Sequence, residues 1–252
     1  MSPRTQIVYR RNFLTNVILK INFPVILEIS DGTPTTFQKS ILRDFPILEP
    51  VQQMEFKIEN KGLNVVDHKS NKILWKFHNK ENTEFVELDF GSLAYIVKNY
   101  TDYSTFRKSA ESIFSRFFSN FPSILISRLG LRYINQITLE GTDYFNWGGY
   151  LNQNLIKKID FYRNKTEIRR LLTVSELALD EETVLNFKFG ILNSTYPSPI
   201  VNREFLLDYD CHTSIQFEKE ILTTKVNMYH RYIKDYFEAS ITDNLRKVLN
   251  RG

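Results

Sequence analysis

"SRLGLRYINQI", residues 127–137 near the middle of the chain, alternates between two kinds of surface. Read with a period of two, Leu129, Leu131, Tyr133 and Ile137 share one face. Arg128, Arg132 and Gln136 point the other way, across the side-chain-free position Gly130. The pattern predicts a β-strand whose greasy side is core and whose polar side is either a binding surface or a wet exterior.

Outward from this strand the same alternation recurs. Toward the N-terminus it marks Val17-Leu19-Ile21-Phe23, Gln52-Met54-Phe56-Ile58, Ile73-Trp75-Phe77, Val86-Leu88-Phe90 and Leu93-Tyr95-Val97, all short strands. Between the first two lies "TPTTFQKSILRDFP", a helix expected to be capped by Thr33, to carry Pro34 at its first position, and to end before Pro46. "YSTFRKSAESIFSRFFSNFP" predicts a longer helix with Phe106, Ala110, Ile113, Phe114, Phe117 and Phe121 on one stripe. Toward the C-terminus come an aromatic loop ending in a short helix, then strands near 166–178, 183–192 and 203–211. A terminal helix follows, striped by Leu222, Val226, Tyr229, Ile233, Tyr236, Ser240 and Leu245, with a break at "SITDN" recapped by Ser240 or Thr242. The fold class is therefore α+β: an extended antiparallel sheet with helices on one face. Two similar halves of the form β-α-β(3-4)-α, residues 1–122 and 123–252, are expected to pack as one unit, and an internal duplication would explain their shared order.

Composition agrees. With 252 residues, 42% hydrophobic and 14% aromatic, the chain can bury a large core, and twenty Phe with thirteen Tyr favour a β-rich interior. A net charge of +4 is too mild to imply nucleic acid by itself. The N-terminal stretch "MSPRTQIVYRRNFL" lacks a signal peptide's apolar core, and no apolar run approaches a membrane span. A single cysteine, Cys211, permits no internal disulfide and fits a reducing compartment. A soluble cytoplasmic protein with no membrane contact is expected.

The strand–helix–meander–helix order resembles, in topology alone, the TATA-box-binding protein and the helix-grip lipid-binding proteins. That likeness implies a curved sheet with one face free for a partner or cavity. The series "LTNVILKINFP", "FQKSILRDFP", "SRLGLRYINQI", "LLDYDCH" and "FEASITDNLRKVL" resembles an uncharacterised, sporadically distributed family of prokaryotic proteins of about this length, most specifically in the run Arg128 to Asn135. The resemblance implies fold and length and transfers no catalytic residue. Patchy distribution is typical of accessory, defence or toxin–antitoxin genes.

Four constellations are candidate sites. Arg128 and Arg132 stand roughly 13 Å apart at about 3.3 Å per residue. They could meet two phosphates or two acidic side chains, with Gly130 admitting a close approach and Gln136 beside them, or pair with Glu55, Glu87, Asp89, Asp208 or Asp210 on neighbouring strands. "LLDYDCH" sets Asp208, Asp210 and His212 on one face, a spacing for a divalent metal or an acid–base pair, or for an ordinary edge strand. The basic segment 157–170 interleaves Lys157, Lys158, Arg163, Lys165, Arg169 and Arg170 with Phe161 and Tyr162, fit to grip phosphates and stack a base or to be a solvated turn. The loop "YFNWGGY", with Tyr144, Phe145 and Trp147, is either an exposed recognition patch or a cap folded onto the core. His230 reads as a packed, hydrogen-bonded histidine. With no Gly-rich phosphate loop, nucleophile elbow or zinc spacing, no cofactor or metal is expected. The reading that follows is a non-catalytic binding or adaptor protein of a bacterial accessory system, contacting a protein partner through the sheet face and the aromatic loop. A nucleic-acid module and a metal-dependent hydrolase or nuclease are the alternatives, and homo-oligomerisation is left open.

Overall fold

A computed structural model describes residues 9–30, 32–57 and 66–250, with side chains outside 53–72. The strands are β1 (Leu14–Asn22), β2 (Ile47–Lys57), β3 (Val66–His78), β4 (Glu84–Asp89), β5 (Ser92–Val97), β6 (Arg128–Leu139), β7 (Leu171–Ala178), β8 (Val184–Ile191) and β9 (Arg203–Thr213). Among the described residues they form one antiparallel nine-stranded sheet, ordered β2-β3-β4-β5-β1-β6-β9-β8-β7. The helices are α1 (Leu27–Ser30), α2 (Thr35–Ile41), α3 (Tyr103–Asn120), α4 (Gln153–Ile156), α5 (Leu222–Ser240) and α6 (Asp243–Asn250). The fold is α+β, as the alternation predicts.

The two strands that open the halves lie side by side at the centre, with Leu19 opposite Leu131 and Ile21 opposite Leu129. Outward from β1 run β5, β4, β3 and β2, and outward from β6 run β9, β8 and β7, so one pairing order occurs twice. Short polar turns make the meander. Asn79 accepts from the backbone N–H groups of Thr83 and Glu84, and Asp89 accepts from the N–H of Gly91 and the hydroxyl of Ser92. The edge strand β2 carries Pro50, which costs nothing where one side has no ladder to break.

The core lies on one face. Val17, Leu19, Ile21, Leu93, Tyr95, Leu129, Leu131, Phe205, Leu207 and Tyr209 are buried there under α3, which presents Phe106, Ala110, Ile113, Phe114, Phe117 and Phe118, and α5, which presents Leu222, Val226, Tyr229 and Ile233. Asp102 starts α3 by accepting from the Thr105 N–H, a cap the aromatic stripe alone does not reveal.

Several expected boundaries differ. Thr33 does not cap α2: its carbonyl accepts from the Thr35 N–H, and Pro34 occupies the cap position without a side-chain bond. Helix α2 stops at Ile41, and Phe45 is buried beyond it. β7 begins at Leu171 and not near 166, because Asn164 accepts from both the N–H and the hydroxyl of Thr166 and closes a 3-10 turn over Lys165–Glu167. The terminal helix does break, at Ile241 and Thr242, but neither expected side chain recaps it. The Ser240 hydroxyl donates to the Tyr236 carbonyl and the Thr242 hydroxyl to that of Gly149. Ile58, expected to close the second strand, lies outside the described residues.

Candidate functional site: the helix-free face of the sheet

The alternation that buries Leu129 and Leu131 turns Arg128, Gly130 and Arg132 to the face without helices. There Arg132 is opposite Asp210, and Gly130 opposite His212, on β9. Arg132 Nε and Nη2 donate to the two oxygens of Asp208 at 2.8 and 2.7 Å, a bidentate clamp. The Asp208 side chain is 6% exposed and that of Arg132 41%, so the carboxylate is spent within the protein while part of the guanidinium still faces outward. Hydrogen bonding to Asp208 holds the Arg132 pKa above its ordinary value. Arg128 makes a looser pair with Asp210, 3.6 Å between Nη2 and Oδ2.

Gly130 has a local reason. A Cβ there would lie 2.9 Å from Arg128 Nη1 and 3.5 Å from Asp210 Oδ1, so the vacant position is where the Arg128 side chain folds back toward its partner. Of the acids expected as partners, Asp208 and Asp210 take the arginines. Glu87 instead faces Lys76 at 3.7 Å, Asp89 caps a turn, and the Glu55 side chain lies outside those described. Gln136 is half-buried beside Leu206.

Asp208, Asp210 and His212 do share this face, as their spacing requires, but both carboxylates point to arginines. Among the described residues no group of three His, Cys, Asp or Glu side chains could hold a metal ion. Nδ1 of His212 is buried without a hydrogen-bond partner among those residues. Cys211 faces the core, fully buried, where burial pushes its thiol up to about 12.

The other two constellations lie on the helix side. The aromatic loop is not an exposed patch. Trp147 is 1% exposed, packs 5.2 Å from Phe205, and is covered by the Arg203 guanidinium 5.1 Å from its ring, while Tyr144 and Phe145 are partly buried against the core. Gly148 and Gly149 let the chain turn back there, Gly149 with φ of +80°. The loop and the basic segment are brought together around a cavity of about 500 Å³ lined by Phe145, Trp147, Ile159, Asp160 and Lys165. In the basic segment Lys157, Lys158, Arg163, Arg169 and Arg170 are exposed, and Phe161 is 82% exposed between them. Lys165 pairs with Asp160 at 2.9 Å, and Arg170 stacks on Tyr196 at 4.0 Å.

His230 is packed and hydrogen-bonded, as its place on the helix flank suggests. Nδ1 lies 2.9 Å from the Tyr133 hydroxyl, and its ring stacks on Tyr103 at 3.7 Å. Sequence reasoning does not foresee that these rings line a cavity. The signal present is the pair Tyr100, just before α3, and Tyr103, its first residue, two polar aromatics at a helix start. No protein-family model and no curated protein matches the chain. Among the described residues no helix is long and apolar enough to cross a membrane.

Proposed function

We propose that the chain is a non-catalytic binding protein that takes a protein partner on the helix-free face of its sheet, an adaptor in a bacterial accessory system such as defence. One observation carries the reading: Arg132 is clamped by a buried carboxylate yet 41% exposed, so a charged group is held rigid on a mixed face where Ile18, Ile96 and Ile134 lie beside the charges. Partner groups meeting it would find donors already oriented, which lowers the entropy cost of association. The mixed charge of the face, with Lys20, Asp210, Lys188 and Glu87 interspersed, suits the equally mixed surface of a protein.

The test is capture from the native host followed by identification of bound protein. Lys20→Glu with Lys188→Ser removes positive charge from this face without setting a like charge opposite Asp208, and Lys108→Glu on α3 is the control. A partner lost with the first variant and kept by the second supports the reading. A partner indifferent to the face substitutions overturns it.

A second reading rests on the exposed Phe161 among Lys157, Lys158 and Arg163, which fits single-stranded nucleic acid through stacking and phosphate pairing. Here Lys157, Lys158 and Arg163 changed together to Ser would flatten the salt dependence of binding to an oligonucleotide by roughly 0.7 for each phosphate left without its cation. Salt dependence equal to the parent's removes this reading.

A further inference from the structure

Where the two halves meet, α3, α5, β1 and β6 enclose a cavity of about 470 Å³ lined by Tyr100, Tyr103, Tyr133, Asn135, His230 and Phe237 among others. The volume falls within the roughly 300–1,000 Å³ of small-molecule sites, which are mostly apolar with a few convergent polar groups. Its walls are rings. Tyr100 and Tyr133 lie 5.7 Å apart, and Tyr103 stacks flat on His230 with 2° between the planes. Its polar groups sit deep: Tyr133 and Asn135 are 7% and 5% exposed, and the Tyr133 hydroxyl meets His230 Nδ1 at 2.9 Å. The other ring nitrogen of His230 carries no hydrogen bond among the described residues.

We propose that this cavity binds an uncharged planar ring molecule with a hydrogen-bonding edge, the chemistry of a nucleobase or nucleoside. Tyr100 and Tyr133 are tilted by 58° and Tyr103 covers one face of His230, so the aromatic faces left to the cavity favour a flat ligand that can stack offset on a ring. The Asn135 amide nitrogen donates to the Leu207 carbonyl and His230 Nδ1 meets Tyr133, so it is the Asn135 side-chain oxygen and His230 Nε2 that a hydrocarbon would leave without water and that favour a polar edge. The depth carries no charge. Burial keeps the Tyr100 and Tyr103 hydroxyls protonated, pushed up to about 12, and holds the His230 imidazole neutral. At the rim the acids are occupied: Asp102 caps α3, and Glu238 accepts from Tyr9 and Arg246. No arginine lines the cavity among the described residues, and its lysine, the half-buried Lys234, would offer a phosphate a single point charge without the bidentate fit of a guanidinium. This site lies on the helix side and stands apart from the protein-binding face.

Equilibrium dialysis of the full chain against adenosine, guanosine, cytidine and uridine, with the matching monophosphates beside them, tests the assignment. At least one nucleoside should be retained, and more tightly than its monophosphate. Tyr103→Leu, which deletes the stacking ring, should weaken retention roughly tenfold. His230→Phe keeps a stacked ring while removing both nitrogens and should weaken it similarly. It serves alone if circular dichroism shows the leucine variant unfolded. Failure to retain any nucleoside, a preference for the monophosphate, or retention unchanged in the folded variants each overturns the proposal.

Discussion

Two arginines that look alike in sequence differ in what holds them. Arg132 answers a carboxylate that is almost wholly buried, so Arg132→Ala strands the Asp208 charge. The expected loss is about 2–3 kcal/mol, under the roughly 3–5 of a fully buried pair because Arg132 itself is part-exposed. Arg128 pairs with Asp210 at 3.6 Å across a wetter site, and Arg128→Ala should cost less than about 1 kcal/mol. Urea denaturation of both variants checks the contrast, and equal midpoints would contradict it. The glycines divide likewise. A Cβ at Gly130 meets the tip of a flexible arginine, which can swing aside, so Gly130→Ala should stay within about 1 kcal/mol of the parent. Gly190 has φ of +136° and would place a Cβ 2.0 Å from the Leu171 carbonyl oxygen, inside the β7–β8 ladder. Gly190→Ala should cost at least about 2 kcal/mol, read from the same titrations. A lone "FGI" in a strand carries no sign of that backbone, which only pairing with β7 imposes.

Helix α5 holds a group with a pH signature. Burial lowers the His230 pKa from 6.5 to about 4, with Lys234 adding to the effect. Between those values the unfolded chain binds a proton that the folded chain refuses, so stability rises with pH through this window and falls as pH drops from 6.5 toward 4. The full loss is up to about 3 kcal/mol, and it is absent above the window. Thermal melts across the range should show the slope in the parent and lose it in His230→Phe; a variant with the parent's slope would assign it elsewhere. At this scale the sequence is informative where periodicity is strong. The stripes of α3 and α5 and the alternation of β6 and β9 follow directly from spacing, since each side chain's face is fixed by the period. The break before α6 is visible in "SITDN", yet its cause is not. The Thr242 hydroxyl bonds to Gly149, a residue far away in sequence. The start of β7 escapes for a similar reason, because an Asn164 turn outcompetes the β-propensity of Ile168. The candidate site is legible as a face and not as a network. Alternation places Arg128, Arg132, Asp208 and Asp210 together, whereas the β6–β9 register sets Arg132 opposite Asp210, and its bond to Asp208 runs diagonally, which neither alternation nor register reveals.

At the scale of the molecule, the sheet order puts the opening strand of each half at the centre, so the boundary between residues 122 and 123 is crossed by the β1–β6 ladder. We propose that the halves fold as one unit. Buried side chains run without interruption from Phe37 and Phe77 on one side, through Leu19 and Leu131, to Leu185 and Phe189 on the other. A chain cut between the halves would turn both central strands into long edges carrying Val17, Leu19 and Ile21, or Leu129, Leu131 and Tyr133, with unpaired backbone groups beside them. The intact chain is therefore expected to unfold in one calorimetric transition, with far-ultraviolet circular dichroism and tyrosine fluorescence tracing the same curve. Residues 1–122 and 123–252 produced separately should be unfolded or aggregated, and regain structure only when mixed. Two resolved transitions, or either half melting cooperatively by itself, would show two domains that merely touch, since an independent domain keeps its own core when its neighbour is removed.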